Sequence, residues 1–223
     1  MQSRSNVSSD AGTIQADCSF CQRSRIANYI LKETPGFRIL ADHAPLVPGH
    51  TLIVPINHYT CYGDVPASLD EELLALKHEV QAFLTRFYAS VVFWEHGIFR
   101  QTVFHAHLHC FPFGTETRYD PSAGLHELVV HAQNDIRTWH KTHGSYFYLE
   151  DANNPYLFAP RMDAYSSIIQ EVLVPGALAH SSHTGWRSQQ QRRVEGAPLI
   201  EALKAKWQQF QQQEASYADQ INS

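Results

Sequence analysis

The chain's 223 residues are 43% hydrophobic and 17% charged, enough to bury the core of one large domain, or of one domain with a substantial extension. A net charge of -5 excludes broad binding to long nucleic acid, which depends on dense Lys and Arg, but leaves room for a nucleotide held by a few local groups. No run approaches the roughly 18 apolar residues of a membrane span. Residues 1–14 are polar without an apolar leader core, so the sequence predicts a disordered N-terminal arm and a cytoplasmic protein with no membrane partner.

Cys18-Ser19-Phe20-Cys21 opens the ordered chain. Without a secretory leader, two thiols at this spacing point to a metal site or to free thiols rather than to a disulfide. Residues 36–42 alternate like a strand with one face on a core, Pro48-Gly49 marks a turn, and residues 50–55 read as a buried strand. Over 68–88 the apolar residues Leu69, Leu73, Leu76, Val80, Phe83 and Phe87 recur at steps of three or four, which predicts an amphipathic helix. Ser68 and Glu71 form a capping-box pattern at its start. Strands follow at 91–94 and 101–111, closed by Pro112 and Gly114. The first half therefore reads β-β-α-β-β, an α+β unit with antiparallel strands.

Beyond 115 the pattern is less regular. A helix is expected over 122–143, and a hairpin from 146–149 and 156–158 around the turn-rich residues 151–154. Further helices are expected over 164–173 and 198–210, with a polar, basic loop over 180–193 that could reach a site or a partner, and a Gln-rich tail fraying from Gln208.

The segment His105-Ala106-His107-Leu108-His109 carries the chemistry. Residues two apart on a strand share a face, so the three imidazoles would line one side, with Gln101 further along it. Thr102, Phe104, Ala106, Leu108 and Cys110 would point to the core. Three imidazoles in a row offer no packing advantage over Val or Ile. The competing reading is a histidine-rich surface strand, in a chain that holds 14 histidines.

Residues 101–112, preceded by Pro48-Gly49-His50-Thr51-Leu52-Ile53-Val54-Pro55, resemble the histidine triad (HIT) family over about residues 15–115. These are nucleotide hydrolases and transferases acting at the α-phosphate. The resemblance implies an antiparallel five-stranded sheet with flanking helices, usually paired as a homodimer. The chain would then divide into an arm (1–14), a HIT-like catalytic domain (15–115) and a mostly helical C-terminal α/β extension with a β-hairpin (116–223). A neutral imidazole, abundant near pH 7, can attack phosphorus and form a phosphoramidate that water then opens. By the resemblance His107 is that nucleophile, His109 the acid or hydrogen-bond donor at the bridge atom, Gln101 a phosphate or leaving-group contact, and His50 completes the cluster.

Zinc needs about four ligands in a closed site. Zinc-containing HIT proteins and uridylyltransferases supply two from histidines, which by the resemblance are His58 and His105 here. With Cys18 and Cys21 they make a structural Zn2+ site. Cys61 and Cys110 have no partner pattern and read as buried free thiols. Asp42 stands where the family places a ribose-binding acid, and Leu40 and Phe20 would wall the base. The stretch Glu95-His96-Gly97-Ile98-Phe99-Arg100 departs from the Asn and Gly that many HIT hydrolases carry ahead of the triad, with Arg100 expected to compensate by pairing with phosphate.

Transferases of the family have Gln at the third triad position, where this chain has His109. The expectation is therefore a nucleotide hydrolase that cleaves a dinucleoside polyphosphate or nucleoside phosphoramidate through a nucleotidyl-His107 intermediate. The alternatives are a transferase or phosphorylase using the same intermediate, and a nucleotide-binding protein with little turnover. A catalytic metal on the triad is disfavoured because no carboxylate base stands at a readable spacing.

Overall fold

The computed structural model describes residues 13–114, 119–120, 124–151, 154–180 and 187–221. After a short helix α1 (Arg23–Ile26), strands β1 (Ile30–Glu33), β2 (Phe37–Ala41) and β3 (Thr51–Pro55) pair in antiparallel succession. Helix α2 (Asp70–Phe87) crosses to β4 (Val92–Glu95), and β5 (Leu108–Phe111) inserts between β3 and β4. This register sets His109 between Leu52 and Trp94.

The extension does not form a separate layer. Its strands β6 (Leu128–Val129), β7 (Phe147–Glu150) and β8 (Pro155–Phe158) continue the same sheet, in the order β1-β2-β3-β5-β4-β7-β8-β6. The sheet thus has eight strands where five were expected. The cause is the outer edge of β4, whose unpaired N–H and C=O groups are satisfied by β7. Among the described residues only β1 and β6 remain as edges for a second copy to extend.

Both sheet faces are buried, by alternation along each strand. Phe93 and Tyr148 join Ile39, Ile53, Phe83 and Leu84 under α2 and the long helix α7 (Ala197–Ile221). Val92, Trp94, Phe147 and Leu149 face the other way, onto Ile168 and Val172. Those two residues lie on α4 (Met162–Ile168) and on the widened turn Ile169–Leu173 that leads into α5 (Val174–Ala179). Pro175 has no N–H to offer the preceding turn, and the i→i+5 geometry there accommodates its ring.

Several local expectations are corrected. The strand expected over 101–111 begins only at Leu108, and 101–107 is an irregular crossing segment, so Phe104 is 61% exposed instead of facing the core. Ser68 lies inside a tight turn (Ala67–Leu69), and Leu69 takes the cap position of α2 with no side-chain bond. Among the described residues of the 122–143 segment only Gln133–His143 is helical (α3); Leu128 and Val129 are drawn out to pair with β8. Within the basic segment, Gln189–Glu195 forms helix α6, capped by the Ser188 hydroxyl. The rest of that segment over 181–186, the centre of the 151–154 turn and the arm up to residue 12 lie outside the described residues. Helix α7 runs to Ile221 rather than fraying at Gln208. Among the described residues, no helix is long and apolar enough to cross a membrane.

Candidate active site and metal centre

His107 precedes β5 and is 6% exposed, with its Nδ1 2.6 Å from the carbonyl oxygen of His105. A carbonyl only accepts, so Nδ1 carries the proton and the lone pair lies on Nε2. Burial lowers the proton affinity of His107, which keeps that lone pair available.

The same logic orders the next two rings. The Leu46 N–H donates to His50 Nδ1 at 3.2 Å, so the proton of neutral His50 sits on Nε2. That nitrogen lies 3.0 Å from His109 Nδ1, which therefore accepts, leaving His109 with its proton on Nε2. Burial holds His50 at about 4. It also holds His109 well below the ordinary histidine value, helped by the neighbouring His107 and His50. A relay of neutral imidazoles thus runs from the Leu46 amide to His109.

His107 and His109 line a cavity of about 340 Å³ whose walls include Phe20, Asp42, His50, Trp94, His96, Arg100, Tyr165 and Arg192. An adjoining cleft of about 460 Å³ shares Phe20, His43 and Leu52 and adds Ile26, Tyr29 and Leu40. Asp42 accepts from the Ala44 N–H at 2.7 Å through one oxygen, and its other lies 3.7 Å from His50 Nε2. Asp42, expected from the resemblance as a ribose-binding acid, thus also stands beside the triad, and Asp42, His50 and His109 offer ligand atoms within 4.8 Å of one another.

Gln101 does not join them. Its amide donates to the Thr60 carbonyl at 2.9 Å, and it is not among the residues of either cleft. The expected face-sharing with the triad fails because residues 101–107 are not a strand. Arg100 does reach the cavity, from backbone with φ 57°, and Ile98 has φ 77°. Such geometry is strained for side chains of this kind and persists only where the surroundings impose it. Tyr146 imposes it here: its N–H donates to the Gly97 carbonyl at 3.1 Å.

The second centre joins Cys18, Cys21, His58 and His105, whose ligand atoms lie within 4.8 Å of one another. Cys18 Sγ is 3.3 Å from His105 Nδ1, and Cys21 Sγ is 3.4 Å from His58 Nδ1 and 3.5 Å from His105 Nδ1. A zinc tetrahedron with its usual bond lengths has sulfur-to-nitrogen edges of about 3.5 Å. The His105 Nε2–H donates to the Pro55 carbonyl at 2.9 Å, which frees Nδ1 as the ligand atom. The donor set is compatible with zinc.

Four wall residues were not singled out by their sequence context: Trp94, His96, Tyr165 and Arg192. Trp94 read as a strand residue, His96 lay in the stretch that departs from the family pattern, and Tyr165 comes from a segment with no motif. Arg192 had a partial signal, since the basic segment was read as able to reach a site. Cys110 is a buried thiol, as read, pushed up to about 12 by burial. Cys61 is also buried but has a partner the sequence did not indicate, His140 Nδ1 at 3.7 Å.

Residues 23–115 match the family model of the HIT domain. A search among curated proteins found no match. Among solved structures, the chain is similar to a HIT family hydrolase from Clostridium thermocellum, at 21% identity over 48% of this chain and 97% of that one, with a TM-score of 0.40. It is also similar to a hypothetical protein from Leishmania major, at 21% identity over 57% and 93% with a TM-score of 0.42. A third is a zinc-bound histidine triad family protein from Mycobacterium smegmatis, at 22% identity over 56% and 96% with a TM-score of 0.37. The family model stops short of the extension that brings Tyr165 and Arg192 to the cavity. The chain carries a HIT domain, at residues 23–115.

Proposed function

We propose that this protein is a nucleotide hydrolase that cleaves at the α-phosphate through a covalent nucleotidyl-His107 intermediate. The observation that carries this reading is the bond from His107 Nδ1–H to the His105 carbonyl, which leaves Nε2 as a nucleophile. Nε2 attacks the α-phosphorus, a P–N bond forms, and the bond to the bridge atom breaks with its electron pair on the leaving group. The ring becomes cationic on attack, and the His105 carbonyl stabilises that charge through Nδ1–H. The Nε2–H of His109 donates to the departing bridge atom. Water then attacks phosphorus and gives up one proton to solvent, the P–N pair returns to Nε2, and a nucleoside monophosphate is released.

Phe20 and Leu40 would hold the base in the adjoining cleft. The Asp42 oxygen not engaged by Ala44 would take the ribose hydroxyls, and Arg100 a phosphoryl oxygen. Cys18, Cys21, His58 and His105 would hold a structural zinc ion, which supplies a cross-link and no step of the reaction. The homodimer belongs to the same reading.

The test incubates the protein with labelled nucleotides and seeks a nucleotidyl adduct on His107 by mass spectrometry. Wild type should form it and release monophosphate, and His107→Asn should bind substrate with neither adduct nor turnover. Near-normal turnover by His107→Asn would overturn the covalent mechanism. Release only with a second phosphorylated acceptor would make the protein a transferase. The Asp42, His50 and His109 cluster favours a second reading, a catalytic metal there. Its ring nitrogens already engage one another. Two metals per chain rather than one would favour it.

A further inference from the structure

We propose that Arg192, supplied by the C-terminal extension, is a positioning residue for the phosphoryl group next to the scissile one, so that the leaving group is itself phosphorylated. This rests on the hydrolase reading above and narrows its substrate from two classes to one.

Arg192 stands on α6, outside the matched HIT segment, yet lines the cavity that holds His107 and His109. Its Nε–H donates to the Ala44 carbonyl at 3.1 Å, and Nη1 donates to the Arg187 carbonyl at 2.6 Å. Two bonds from different edges fix the plane of the guanidinium beside the His50 and His109 relay. A guanidinium held in that plane suits an anionic ligand group with a matching pair of oxygens.

The cavity's other charges favour such an anion. Among the described residues, its walls carry the guanidiniums of Arg100 and Arg192 against the single carboxylate of Asp42. That carboxylate is already bonded to the Ala44 N–H. Trp94, another wall residue, has a buried indole N–H without an acceptor among the described residues, and a ligand oxygen would relieve that deficit.

A phosphoramidate brings one phosphoryl group and an amine, which must be protonated to leave and gains nothing from a nearby cation. A nucleotide with a second phosphoryl group brings an anion that a planar guanidinium matches. Such a leaving group departs with a hydrogen bond alone, which a neutral His109 provides.

Binding separates this proposal from the mechanism. AMP and ADP are titrated calorimetrically into His107→Asn, then into the same variant with Arg192→Ala or Arg192→Lys, each checked by thermal melting. ADP should bind about 10- to 100-fold more tightly than AMP, the range expected for hydrogen bonds to a charged group. Arg192→Ala should bring the two to near parity by weakening ADP alone. Arg192→Lys, which keeps the charge but not the fork, should fall between, and it decides the matter if Arg192→Ala fails to fold. Equal binding of AMP and ADP before Arg192 is touched, an unchanged ratio after it, or equal weakening of both ligands would overturn the proposal. Absence of a His107 adduct in wild type, with the ADP preference intact, would instead overturn the mechanism.

Discussion

At the scale of single residues, proton positions decide what the site can do, and they follow from which partner can only donate or only accept. The His105 carbonyl and the Leu46 amide between them fix the tautomers of His107, His50 and His109. Glu95, in the stretch that departs from the family's Asn and Gly, is a buried acid. It accepts from the Tyr62 N–H at 2.8 Å and the Tyr146 hydroxyl at 2.7 Å, and burial lifts its pKa from 4.5 to about 7. Its folded value lies above its unfolded value, so it contributes stability at low pH that is lost as pH rises from about 4.5 through about 7. Glu95→Gln removes that dependence while keeping the shape. Its melting temperature relative to wild type should therefore climb between about pH 5 and pH 8. A difference that stays flat across that range would mean Glu95 is ionised throughout.

Among elements, legibility followed periodicity. The α2 pattern was plain because Leu73, Leu76, Val80 and Phe83 form one buried stripe against the sheet. The 101–111 strand was misjudged because alternation was read over the whole run, while only the last four residues pair. Strand β6 has two residues, too few for any period to register. The partner of α2 could not be foreseen either: Trp207 of α7 sets its ring 4.9 Å from Phe83, edge to face, and is 3% exposed. Trp207→Ala should cost about 3–5 kcal/mol, read by urea unfolding. A cost below about 1 kcal/mol would mean that α7 is only loosely seated.

For the whole molecule, the Cys18, Cys21, His58 and His105 cluster brings residues 18–21 and the turn after β3 onto the triad segment. The His105 side chain belongs to that cluster while its carbonyl holds His107, so the two centres share one residue. Elemental analysis should find about one zinc per chain, and Cys21→Ala should lose the metal and melt at lower temperature, because metal binding contributes folding free energy. Stability unchanged by chelation would rule the site out. Adduct yield on His107 should fall with the metal, since the carbonyl that orients its ring is anchored by His105.

The sequence by itself showed the helix α2, the cysteine pair at 18 and 21 and the run of His105, His107 and His109, while His50 and Asp42 stood out only through the resemblance to the HIT family. Short-range spacing encodes the first three, since a helix face or a clustered run needs only residues a few positions apart. Tertiary structure alone decided that β7 would take the open edge of β4, that Gln101 would turn to Thr60, and that Tyr146 would hold the strained Arg100 loop. It alone brought Arg192 to the cavity lined by His107 and His109, which lie far earlier in the chain. Those outcomes rest on unpaired backbone groups and buried charges finding partners across long sequence separations, and local spacing carries no record of which partner wins.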